Sequence, residues 1–92
     1  MTDQALSDAI TQFVWREGAA IPGRHPENIV DAAMRERVAA IVADLDAIRP
    51  GEDAADLFVW SERQVRALAR RYPGISEEAI SALRALLSWQ WR

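Results

Sequence analysis

The sequence predicts an all-α protein: a compact bundle of four helices, with a fifth short one between residues 52 and 60 and the C-terminal helix at its centre. Three observations carry this. Every long segment spaces its apolar residues helically. Gly- and Pro-containing breaks separate the segments at 18–26, 49–51 and 73–74. The last segment, 76–92, is apolar over more than half its circumference, so it must be covered on two sides.

The first helix is expected over residues 3–17. Leu6, Ile10, Phe13 and Val14 fall at i, i+4, i+7 and i+8. Asp3 and Asp8 lie towards its positive end, and Gly18 is the expected stop. Trp15 sits beside the stripe. Residues 18–26 form a loop, and Pro26 suits the first turn of a second helix. That helix is expected over 26–48, with a heptad-like seam of Val30, Met34, Val38, Ile41, Leu45 and Ile48, widened by Ala33 and Ala40. Three heptads do not establish a coiled coil; a long packing helix is the simpler expectation.

After the break at Pro50-Gly51 comes a polar, acidic stretch, then Leu57, Phe58, Val59 and Trp60. Four apolar residues are ambiguous between a buried helical turn and an extended piece. A short turn over 53–58 is expected. Ser61 and Gln64 match a capping box, which predicts a helix over 61–72 with Val65, Leu68, Ala69 and Tyr72 inward. Ser76 caps the last helix, with Glu77 and Glu78 in its first turn. Its inner rows are Ile80, Leu83, Leu87, Trp91 and Ala79, Ala82, Leu86, Trp89. Its polar strip is Glu77, Ser81, Arg84, Ser88 and Arg92.

Ninety-two residues suit one domain, 1–92, with a modest core. The absence of cysteine excludes disulfides, thiolate metal sites and a cysteine nucleophile, and a single histidine, His25, excludes any site needing two. Asp44 and Asp46, two residues apart on a helix, do not form a carboxylate pair. Neither a catalytic constellation nor a cofactor or metal motif is present. No apolar run approaches a membrane span, and the acidic N-terminus lacks signal-peptide character, so a soluble cytoplasmic protein is expected. All eleven basic residues are arginine and alanine is frequent, the mark of a GC-rich, prokaryotic coding sequence.

Net charge is −3, unevenly spread. Residues 1–58 hold eleven acids against five arginines; residues 59–92 hold three against six. Mutual attraction of the two halves is the plainer reading, a partner surface the sharper one. Arg63, Arg66 and Arg70 step by three and four on one side of the third helix, flanked by Arg71. Such a stripe grips phosphates or an acidic partner, although a solvated helix face looks the same. Residues 61–92 resemble a helix-turn-helix in outline. A DNA-reading second helix, however, would not begin with Glu77 and Glu78. The loop before Pro26 offers Arg24 and His25 as a weak anion site.

Four tryptophans are many for this length. Trp89 and Trp91, near the end of the last helix, are core or interface anchors. The first and third helices look slightly short for covering all the apolar rows. A homodimer with Trp89 or Trp91 at or near its contact is therefore expected, the alternative being a monomer that holds a heterologous site in the same place. The expected function is a small protein–protein interaction or regulatory module without catalytic activity. A nucleic-acid-binding accessory protein using Arg63, Arg66 and Arg70 is the alternative.

Overall fold

The helices begin and end where side chains and loop amides serve their unpaired backbone groups. In the computed structural model, which describes residues 2–18, 20–52 and 55–91, α1 is Gln4–Val14. Asp3 caps it: the carboxylate accepts from the Leu6 amide at 3.1 Å. Leu6, Ile10, Phe13 and Val14 are all buried, as their spacing predicts. The helix stops short of residue 17. The following loop crosses its end, where the Gly23 and His25 amides donate to the carbonyls of Val14 and Phe13, both at 2.8 Å. These bonds satisfy carbonyls that another turn of helix would otherwise use.

The expected second helix divides in two. A 3₁₀ turn, Pro26–Asn28, comes first. The chain then runs extended until Asp31 accepts from the Met34 amide and starts α2, Ala32–Asp46. The interruption has local causes. The Asn28 amide side chain donates to the Gln12 carbonyl, and Arg35 Nε donates to the Ile29 carbonyl at 3.0 Å. Both bonds hold the segment out of helical register. Ile29 consequently turns inward and Val30 is 91% exposed, so Val30 does not belong to the seam. Val38, Ile41 and Leu45 do, and are buried; Met34 and Ile48 pack against the core edge.

The largest correction concerns the third helix, α3, which is Leu57–Ala69. It starts four residues before the expected capping box. Its N-cap is Asp56, which accepts from the Val59 amide at 3.1 Å. Ser61 lies fully buried in the second turn and caps nothing. The short turn expected over 53–58 is not a separate helix: Asp53 and Ala54 lie outside the described residues, and Leu57 and Phe58 already belong to α3. A capping box requires its serine at the non-helical N-cap position, and Ser61 lies inside α3. Trp60, 1% exposed, anchors the first turn of α3 in the interior.

The last helix, α4, is Glu77–Gln90, capped by Ser76 as expected. Ala79, Ile80, Ala82, Leu83, Leu86 and Leu87 are buried, which accounts for both apolar rows except at their tryptophan ends. The strip residues Glu77, Ser81, Arg84 and Ser88 lie at or near the surface; Arg92 lies outside the described residues. This helix packs against all three others, most extensively α3 and α1. Among the described residues there is no strand, and four α-helices enclose one apolar cluster.

A buried serine fastens the α3–α4 turn to α1. Ser7, 1% exposed, donates through Oγ to the Gly74 carbonyl at 3.1 Å and accepts from the Ser76 amide at 2.9 Å. The Asp3 amide also donates to the Gly74 carbonyl, at 2.8 Å. Gly74 itself has φ +96°, a conformation that suits glycine.

Candidate functional site: the outer face of α3

Because Trp60, Val65 and Leu68 turn inward, the opposite side of α3 is committed to solvent. It presents Val59, Arg63, Arg66 and Arg70, spaced by four, three and four residues. That is a straight stripe roughly 16 Å long at 1.5 Å per residue. Phe58 and Glu62 flank it. Phe58, Val59, Glu62, Arg63, Arg66 and Arg70 line an open groove of about 390 Å³. The two apolar residues at its head are unusually bare: Phe58 is 59% exposed and Val59 54%.

The groove is braced from α4. Arg66 makes a two-pronged pair with Glu77, both bonds at 2.8 Å, and its Nε donates to Glu62 at 3.0 Å. Glu62 also accepts from Arg84 at 2.7 Å. The Arg84 guanidinium in turn lies 4.6 Å from the centre of the Phe58 ring, within cation–π range. Hydrogen bonding to Arg84, and secondarily to Arg66, holds the Glu62 carboxyl below the ordinary glutamate range. Arg66 does the same to Glu77, and that pair raises the Arg66 guanidinium further above its ordinary value. These pairs run antiparallel, 62 with 84 and 66 with 77, so Phe58 and Trp89 share one end of the helix pair.

The structure thus brings Arg63, Arg66 and Arg70 onto one face, as their spacing predicts. Arg71 points elsewhere. It lies 3.5 Å from Asp44 and lines a different recess with Arg37, Ile41 and Tyr72. Trp89 is 41% exposed. Trp91 is half-buried, with the Arg49 guanidinium 5.3 Å from its ring. The Arg24 guanidinium is occupied by Asp46, with two bonds at 2.6 and 3.0 Å. The amides of Gly23 and His25 are bonded to α1. His25 Nδ1 lies 3.4 Å from a Glu27 oxygen.

Three participants escaped the sequence reading. Phe58 and Val59 stand in the sequence only as part of the uniformly apolar run 57–60, with nothing inside the run to mark them as exposed. Arg84 falls in the polar strip of the last helix. A signal for Phe58 and Val59 did exist: each stands four residues before a stripe-side residue, Glu62 and Arg63.

No family model, curated protein or solved structure matches this chain.

Proposed function

We propose that this protein is a non-catalytic interaction module that docks another protein chain on the outer face of α3. One observation carries the reading: Phe58 and Val59 stand more than half exposed at the head of a groove whose walls are held by ion pairs. A bare aromatic beside a rigid polar rim is the usual anatomy of an interface anchor. Pre-formed walls also lower the ordering cost of binding.

Self-association is a second form of the same reading, favoured by Trp89. It is 41% exposed and lies at the same end of the helix pair. The driving force for a homodimer is smaller than the sequence led us to expect. The α2 seam from Val38 to Leu45 and most of both α4 rows are already covered within the chain. A heterologous partner is therefore preferred.

The test is selection from a displayed random-peptide library, comparing the parent with the Phe58→Ser/Val59→Ser variant. Parent-selected peptides should lose binding to the variant while its circular dichroism stays unchanged. Peptides indifferent to both substitutions would sink the proposal. Sedimentation velocity at micromolar concentration separates the second form: a dimer dissolved by these substitutions supports it, and a clean monomer ends it.

A further inference from the structure

We infer that the recess where α1, α2 and the α3–α4 turn meet binds a single α-amino acid with a large apolar side chain. The site is separate from the outer face of α3 and does not depend on the docking reading. Its volume is about 240 Å³. Pockets for drug-sized ligands run from about 300 to about 1,000 Å³, so this one suits a smaller molecule carrying one large side chain. Leu6, Ile41 and Pro73 give it an apolar lining. Ala40 keeps it open. It lies one turn from both Arg37 and Asp44 on α2, and its side chain ends at Cβ. The turn on the far side is fastened to α1, because Ser7 Oγ and the Asp3 amide both donate to the Gly74 carbonyl. A wall already in place lowers the ordering cost of binding.

The lip carries two guanidinium groups, Arg37 and Arg71, and two carboxylates, Asp3 and Asp44, so its charge is balanced. One pair is committed to the fold. Arg37 donates to one Asp3 oxygen, and the other Asp3 oxygen caps α1. The second pair is looser. Arg71 and Asp44 stand 3.5 Å apart, beyond normal hydrogen-bond length, with both side chains well exposed. Such a contact contributes little to stability, so exchanging it for contacts to a ligand costs little. The Tyr72 hydroxyl donates to Asp44 Oδ2 and sets the direction of that carboxylate.

An amino acid matches this loose pair. Its ammonium and carboxylate sit on one carbon and present opposite charges a few ångströms apart. The ligand carboxylate accepts from the Arg71 fork, and the ligand ammonium donates to Asp44 Oδ1, while the side chain enters the recess. A plain carboxylate satisfies Arg71 but faces the like charge of Asp44. A plain amine satisfies Asp44 but faces Arg71. The balanced lip therefore selects a zwitterion, and the apolar lining selects its side chain.

The probes are L-phenylalanine, phenylpropionate, phenethylamine and glycine, titrated through the millimolar range into the isotope-labelled full chain and followed by NMR. L-phenylalanine should shift the amide signals around Ala40 and Tyr72 saturably. Phenylpropionate and phenethylamine, each lacking one charge, should bind at least tenfold more weakly, and so should glycine, which lacks the side chain. Ala40→Leu fills the recess from an exposed helix position, so the spectrum should stay folded while the L-phenylalanine shifts vanish. Arg71→Gln should weaken L-phenylalanine at least tenfold. Phenylpropionate or phenethylamine binding as tightly as L-phenylalanine would overturn the zwitterionic ligand. Glycine binding equally would overturn the role of the recess. The absence of saturable shifts, or shifts with an unchanged midpoint in folded Ala40→Leu, would remove the site.

Discussion

Replacing Gly74 by alanine tests the join that holds the two halves of the bundle together. Gly74 sits at φ +96°, where an L-residue is strained. Its added Cβ would lie 2.8 Å from both the amide nitrogen and Cβ of Asp3. The nitrogen is backbone, so no side-chain rotation relieves the contact. The turn must move away from α1, and the 2.8 Å bond from the Asp3 amide to the Gly74 carbonyl goes with it. The left-handed conformation costs about 1–2 kcal/mol. Losing one hydrogen bond adds about 0.5–1.5 kcal/mol. With steric displacement the total is roughly 2–4 kcal/mol, against a whole stability of roughly 5–14 kcal/mol for this length. The melting temperature should fall by roughly 10–30 °C, at about 4–8 °C per kcal/mol. Thermal and urea unfolding by circular dichroism measure this, with an unchanged urea slope confirming that the native fold persists. A loss below about 0.5 kcal/mol, the surface level, would refute the reasoning, because it would mean that the turn moves freely against α1.

Two buried serines should respond in opposite directions. Ser7→Ala strands the Ser76 amide and should cost about 1–3 kcal/mol. Ser61 Oγ is buried without a hydrogen-bond partner among the described residues, so Ser61→Ala should stabilise by about 1 kcal/mol. Urea midpoints read both, and a destabilised Ser61→Ala would contradict the assignment. Leu83→Ala, at full burial in α4, should cost about 2–5 kcal/mol; a surface-sized loss would show that α4 is not central. Glu62 gives a pH test. Its folded pKa is depressed, so its contribution is present above the ordinary glutamate value and lost as pH falls through and below it, from about 4.3 downward. Glu62→Gln should flatten the acid limb of the stability curve, and an unchanged limb would show that the Arg84 and Arg66 contacts carry no weight in solution.

What was legible in the sequence follows from how strongly each signal is tied to burial. The α4 rows were legible because a helix with two apolar stripes has few alternatives, and the Leu6–Val14 stripe was equally unambiguous. The start of α3 was not. Ser61-x-x-Gln64 satisfies a capping pattern locally, but tertiary packing draws Trp60 inward, and Asp56 supplies an equally good cap one turn earlier. The continuous helix over 26–48 failed for a similar reason. Its heptad spacing was real from Val38 to Leu45, but contacts from Asn28 and Arg35 to backbone carbonyls outcompeted helical register near Val30. At the site, the arginine stripe was legible from spacing alone. Which arginines are braced was not, because Glu77 and Arg84 reach the stripe from another helix.

The uneven charge of the chain acquires a meaning from these pairings. A simple attraction between halves would place arginines of 59–92 mainly against acids of 1–58. The Arg71–Asp44 pair does this, at 3.5 Å and with both side chains well exposed, where such a contact contributes little. Other close pairs stay within their own halves: Arg24 with Asp46 and Arg37 with Asp3 in the first, Arg66 with Glu62 and Glu77, and Arg84 with Glu62, in the second. In the second half these pairs engage Glu62 and Glu77, two of its three acids. Arg66 and Arg84 are thus tied to acids of their own half, and these ties brace α3 against α4 beside Phe58 and Val59.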